Sequence, residues 1–237
     1  MTPSGLDRAY AGLALSDVAL ATHGADRTSR LRWATKSALM PLLIAKLANR
    51  DDGDLAWSGL RTRTQAGLAL SWAGDVALLG SSDAAFATGL GCFAGAHGCY
   101  VTAFASARRS TRPAAAVAVG IGGALLGAAL SRRAGRLGAP VAGYSALITS
   151  MTVAALGLDP ARIGQAAARR IAAGAGLFVV SDGLIGLRKF ALPSDTRRGV
   201  RSVIDAAVMA TYAGGQWLIA DGVSRASTPA RPAGETG

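Results

Sequence analysis

Residues 171–187 read IAAGAGLFVVSDGLIGL, seventeen residues bounded by Arg170 and Arg188 with a single ionisable side chain, Asp182, among them. A helix rises about 1.5 Å per residue, so the run covers about 25 Å, close to the hydrocarbon thickness of a bilayer. Backbone groups in that layer must be satisfied internally, so a stretch of this length and composition predicts a membrane-crossing helix. An aspartate inside it is costly, and it marks a candidate functional position by default.

The rest of the chain repeats the pattern. Of 237 residues, 51% are hydrophobic and 16% charged, with a mean hydropathy of +0.33; soluble domains carry about a quarter charged residues. Eight apolar runs cover about 7–22, 31–49, 64–81, 84–106, 112–130, 137–157, 168–189 and 201–220. The expected fold class is therefore all-α, a polytopic membrane bundle of about eight transmembrane helices. It forms one domain over 1–222, followed by a disordered tail over 223–237 that is small, polar and Pro-containing. Asp7 and Asp17 set the N-terminal segment apart from a secretory signal, and it reads as the first membrane helix. The glycine clusters GIGGALLG (120–127) and GAGLF (174–178) read as packing surfaces between close helices, not nucleotide cradles, and such faces leave a homodimer open.

The formal net charge is +11, but the arginines gather between the apolar runs, in SARRSTRP (106–113), SRRAGR (131–136) and LPSDTRRGVR (192–201). They read as anchors at headgroup level against membrane lipid, and nucleic acid is not expected as a partner. Basic residues divide almost evenly between the two sides, so their asymmetry assigns no orientation.

Helical spacing places the polar residues by depth. Asp75 follows Arg63 by twelve residues in the third run, and Asp182 follows Arg170 by twelve in the seventh. Those runs point the same way, so both carboxyls lie about 18 Å in from the side that carries the termini. His97 is eleven residues before Arg108, Tyr212 is thirteen before Arg225, and Gln216 lies one turn from Tyr212. Lys36 is fourteen before Arg50, somewhat nearer the far surface. This off-centre layer suits a cavity opening at headgroup level.

Two acids sharing one wet pocket divide into a protonated and an ionised carboxyl, which is the division acid catalysis uses. The plainer readings stand beside it: an intramembrane Asp as a packing residue with Lys36 as counter-ion, Lys36 and Lys46 snorkelling to the surface, and His97 as a hydrogen-bonded core residue. Asp17 belongs either to the polar layer or to the pocket's mouth, and Asp205 to the interface. Tyr100, Tyr144 and Tyr212 are each ambiguous singly. With no Cys or His partners at coordinating spacing, neither a metal nor a cofactor is expected, and no G-x-S-x-G, H-E-x-x-H or Walker-type motif is present.

The ordered segments ATKSALMPLL (34–43), SWAGDVALL (71–79), GLGCFAGAHGCYVTAF (89–104), GAGLFVVSDGLIGLRKF (174–190) and VMATYAGGQWLI (208–219) resemble the YhhN family of lysoplasmalogenases over about 31–220. The resemblance implies an integral-membrane hydrolase that cleaves the vinyl-ether bond of a lysophospholipid with an alkenyl chain. It releases a fatty aldehyde and a glycerophospho-base, without a cofactor. It also implies that Asp75 and Asp182 are the two essential aspartates, with Lys36, His97, Tyr100, Tyr212 and Gln216 as substrate-binding positions. The chain departs from the family's pattern at Ser37 and Ala38, where members commonly have a proline after the lysine, and in AHGCY, where bulkier residues are usual; both bear on the fit of the chain. A proton- or cation-coupled transporter using the same acids, and a structural partner-binding membrane protein, are the competing classes.

Overall fold

The computed structural model describes residues 5–23, 30–49, 57–80, 82–109, 114–193 and 195–226. Among these, the chain is all-α, with α1 Gly5–Thr22, α2 Arg30–Ala48, α3 Ser58–Ala77, α4 Asp83–Ala105, α5 Ala114–Arg133, α6 Gly138–Leu156, α7 Pro160–Ile163, α8 Gln165–Phe190 and α9 Arg198–Ser224. Each of the eight apolar runs becomes a long helix. The ninth helix, α7, is a single turn: Asp159 caps it by accepting from the Ala161 N–H at 3.0 Å, Pro160 opens it, and Gly164 ends it at φ +89°.

Two boundaries differ from expectation. α3 begins at Ser58, six residues before its apolar run, and α9 extends from Arg198 to Ser224. Hydropathy measures how long a segment stays apolar, whereas a helix continues for as long as its backbone bonds can form. Val223, Ser224 and Ala226, just beyond the expected limit at 222, are buried; the rest of the expected tail, 227–237, lies outside the described residues.

Among the described residues, three segments are apolar enough to cross a membrane by length and composition alone: Ala114–Arg133, Gly135–Leu156 and Gln165–Phe190. The count is smaller than eight partly because α1, α2, α3 and α9 carry charged residues along their length, and many of those charges point inward. The helices form a ring. α1, α2, α3 and α4 pack in order, α4 meets α6, α6 meets α8, α8 meets α9, and α9 returns to α1 while also touching α2 and α3. α5 lies outside the ring, mainly against α6, with Val117, Ile121 and Leu125 exposed.

Small residues set the closest approaches. A Cβ on Gly174 would stand 2.6 Å from the Gly215 carbonyl oxygen, and one on Gly215 would stand 2.9 Å from that of Gly174, so α8 and α9 touch backbone to backbone. Gly123 and Gly127 likewise receive Thr149 and Ser145 of α6. Both glycine clusters are therefore packing surfaces.

A proline inside α2 is compensated from the next helix. Pro41 has no N–H, which leaves the Ser37 carbonyl, four residues earlier, without its helical donor. The Trp72 indole N–H of α3 donates to that carbonyl at 2.9 Å.

At the end that carries the termini, Lys46 does not snorkel outward. Its ammonium sits 2.6 Å from Asp7 and 2.8 Å from Asp221, tying α1, α2 and α9 together. Asp221 also receives Arg170 at 2.8 Å and Arg225 at 2.6 Å, and the Trp217 indole N–H donates to Asp7 at 2.9 Å.

Candidate functional site

Asp75 is buried on the inner face of α3, at 1% exposure. It meets two partners: the Lys36 ammonium of α2 at 3.1 Å, and the Tyr212 hydroxyl of α9, which donates to it at 2.6 Å. α9 can deliver Tyr212 there because it crosses inside the ring to contact α3. The Lys36 ammonium thus turns inward as a counter-ion to Asp75 and does not snorkel outward.

Asp182, on α8, has different company. The Tyr144 hydroxyl of α6 donates to its carboxylate in a short hydrogen bond. His97 Nε2 lies 3.0 Å from the same hydroxyl and 3.8 Å from the carboxylate. Because Tyr144 gives its hydrogen to Asp182, the His97 contact requires an N–H on Nε2; this tautomer follows from the network. Nδ1 then faces Met151 Sδ at 3.3 Å. Asp75 thus faces an ammonium and a phenol, while Asp182 faces a phenol with an imidazole behind it.

Both carboxyls open onto one narrow cavity between the helices. Lys36, Tyr144, Ser181 and Tyr212 join them on its wall, and the rest of the lining is apolar: Leu78, Phe86, Leu90, Phe93, Val141, Ile185, Phe190, Val208 and Met209. Phe93, Phe178 and Tyr212 meet edge to face behind the acids, with ring centroids 5.3 to 6.5 Å apart. That packing holds the Tyr212 ring in the orientation that reaches Asp75.

The remaining expected site residues are near the cavity but do not line it. Tyr100 and Gln216 are fully buried one turn further in: the Tyr100 hydroxyl donates to Gln216 Oε1 at 2.8 Å, and Gln216 Nε2 donates to Ser71 Oγ at 3.0 Å. They join α3, α4 and α9 beneath the acids. His97 is also fully buried, behind Tyr144 and Asp182 of the cavity wall. Asp17 is buried against Arg32, at 3.3 and 3.4 Å, and accepts from Thr35 Oγ1 at 2.9 Å.

Tyr144 is the residue that sequence reasoning left unassigned. The signal was present: it stands eight residues after Arg136, about 12 Å in from the far side, within the same polar layer. Among the described residues, no group of three His, Cys, Asp or Glu side chains converges as a metal centre would require.

An all-helical chain with two carboxyls facing an apolar cavity between its helices belongs to the class of helical-bundle proteins with an interior polar site. The family model for YhhN matches residues 31–223, and the chain belongs to the YhhN family, whose members are lysoplasmalogenase-like membrane proteins. No curated protein and no solved structure matched the chain.

Proposed function

We propose that the chain is a multi-pass cell-membrane hydrolase in which α1–α6, α8 and α9 all cross the bilayer. It cleaves the vinyl-ether bond of a single-chain alkenyl glycerophospholipid. The observation that carries this reading is that two carboxyl groups with unlike partners share one apolar cavity.

A vinyl ether opens when a proton reaches its β-carbon, leaving an oxocarbenium ion at the α-carbon. Asp182, whose partners are the Tyr144 phenol and the His97 imidazole behind it, is the carboxyl that donates that proton. Asp75, facing the Lys36 ammonium, stays a carboxylate and stabilises the cation, as paired carboxyls do in glycoside hydrolysis. Water orientated by Asp75 adds to the α-carbon, and its proton returns to Asp182. The resulting hemiacetal breaks its C–O bond to give the fatty aldehyde and the glycerophospho-alcohol. The apolar wall holds the alkenyl chain.

Purified protein given an alkenyl lysolipid should release aldehyde, and both Asp75→Asn and Asp182→Asn should reduce release by at least about a hundredfold, as expected for general acid–base groups. Folded wild type without aldehyde release would refute the hydrolase reading. Full activity in either variant would refute the two-acid mechanism, and gradient-driven flux without turnover would point to transport instead.

A further inference from the structure

A cleft on the outer face of α6 lies apart from the cavity that holds the acids, and the two share no lining residue. α4 and α5 make no backbone contact with each other among the described residues, but both pack on α6, which forms the floor between them. That floor is one stripe of the helix: Ser150, Val153, Ala154 and Gly157, with Thr149 beside them. The opposite face of α6 carries Tyr144 and Met151 toward Asp182 and His97. Val101 and Ala105 of α4 and Gly120 of α5 form the walls. Val101 to Arg108 and Ser150 to Gly157 each span seven positions, so the cleft runs about 10 Å in from the end that carries the termini. It holds about 590 Å³, within the range of small-molecule sites.

Arg108 and Arg109 stand at its rim, and the backbone fixes them there. The Arg109 N–H donates to the Gly157 carbonyl and the Asp159 N–H to the Ala107 carbonyl, both at 2.9 Å, so the chain leaving α4 is pinned to the chain leaving α6. Arg109 Nε donates to the Leu158 carbonyl at 3.2 Å, which leaves its two terminal nitrogens unbonded, and the Arg108 guanidinium makes no hydrogen bond, ion pair or ring contact among the described residues. Asp159 gives a carboxylate oxygen to the Ala161 N–H at 3.0 Å and pairs with neither arginine. Elsewhere on this side Asp7 and Asp221 are held by Lys46, and Arg162 lies over the Trp57 ring; Asp51, Asp52, Asp54 and Arg112 lie outside the described residues. Deeper in the cleft the Thr149 and Ser150 hydroxyls also make no hydrogen bond, although they sit on a helix apolar enough to cross a membrane. Donors in lipid need acceptors, and a guanidinium fork matches phosphate oxygens.

We propose that the cleft is a binding site for a glycerophospholipid of the surrounding membrane. The phosphodiester sits at Arg108 and Arg109, the ester oxygens below it meet the Ser150 and Thr149 hydroxyls, and the upper part of a chain lies along Val101 and Val153. A lipid supplies acceptors at the rim and hydrocarbon at the walls in the order in which the cleft presents donors and apolar surface. No carboxyl lines the cleft, so its occupant is held and not cleaved, wedged between α4 and α5 where those helices leave each other uncovered. The proposal rests on α4, α5 and α6 crossing the bilayer, and not on the hydrolase reading.

Lipid retention tests this apart from catalysis. Purified, delipidated full-length protein in detergent is titrated with dioleoyl phosphatidylglycerol, dioleoylglycerol or glycerol 3-phosphate, and bound lipid is read by native mass spectrometry. Wild type should prefer the phospholipid to dioleoylglycerol by about tenfold or more, as one charge-assisted contact provides. Arg108→Ala with Arg109→Gln should erase most of that preference, and Ala105→Phe, which fills the cleft without removing either arginine, should weaken binding of both lipids. If the double variant fails to fold, Arg108→Ala alone, whose guanidinium bonds nothing in the protein, should still lose part of the preference. Equal retention of both lipids by wild type, an unchanged preference in the arginine variants, or unchanged binding in Ala105→Phe would overturn the proposal. Displacement by glycerol 3-phosphate at the concentration of the phospholipid would overturn the lipid as the source of the phosphate. Displacement by a saturated 1-O-alkyl lysophospholipid at that concentration, with the preference unchanged in the arginine variants, would place the phospholipid in the inner cavity and overturn the outer site. A preserved preference in a protein that releases no aldehyde would sink the hydrolase reading and support the outer lipid site on its own.

Discussion

The ion cluster at Lys46 makes a quantitative prediction about non-additivity. Lys46 is held by two acids from opposite ends of the chain, Asp7 at 2.6 Å and Asp221 at 2.8 Å, and its side chain is only 11% exposed. In Asp221→Asn, Lys46 keeps Asp7, while Arg170 and Arg225, at 35% and 36% exposure, can turn to water or headgroups. The loss should be about 1–2 kcal/mol, well below that of a stranded buried charge. Asp7→Asn should cost a similar amount, since Lys46 keeps Asp221 and the Trp217 indole keeps an amide oxygen to bond. Removing both strands the ammonium, which costs about 3–5 kcal/mol in addition to the lost rim contacts. The double variant should therefore exceed the sum of the singles by about 2 kcal/mol. Thermal or denaturant unfolding of the four proteins in one detergent measures this coupling. A double variant within about 0.5 kcal/mol of additive would refute the argument that each acid covers for the other.

Three other perturbations test separate parts of the structure. Tyr144→Phe removes the donor to Asp182 and the acceptor for His97; aldehyde release should fall by about ten- to a hundredfold, with the unfolding midpoint changed far less, because the protein keeps the ring and loses only two hydrogen bonds. Trp72→Phe leaves the Ser37 carbonyl without its donor and should destabilise by about 1 kcal/mol, and adding Pro41→Ala, which restores an N–H four residues on, should recover most of that in an unfolding assay. Gly215→Ala inserts a methyl 2.9 Å from the Gly174 carbonyl oxygen, so α8 and α9 must separate; a loss of about 1–3 kcal/mol is expected, against little change for Gly176→Ala, whose Cβ meets nothing within 4 Å.

Much of this was legible in the sequence because depth along a helix is a one-dimensional quantity. Counting from Arg63 and from Arg170 brought Asp75 and Asp182 to one layer, and they share one cavity. Counting does not report rotation about a helix axis, so Tyr100 and Gln216 lie at a suitable depth yet face the seam between helices. Nor does it report which helices are neighbours. Tyr144 acquires its importance because α6 packs beside α8, and the ring order was not written in the spacing. Charge proved hardest to read. The residues that look like liabilities in a membrane segment, such as Asp17, Lys46 and Asp221, are buried in mutual pairs, and pairing depends on contacts as distant in sequence as Lys46 with Asp221.

Closure of the ring by α1 and α9 also has a bearing on how the protein is made. The Tyr10 hydroxyl donates to the Ala213 carbonyl at 2.8 Å, a contact spanning 203 positions. The Tyr10 hydroxyl of α1 therefore waits for α9 before it finds its native acceptor. Through nearly the whole of synthesis the Asp7–Lys46 pair lacks Asp221 and Trp217, which complete it from α9. An insertion machinery handling this chain must shelter that half-finished pair until α9 arrives, and a ribosome stalled before residue 213 would leave an open bundle with its inner seam exposed to lipid.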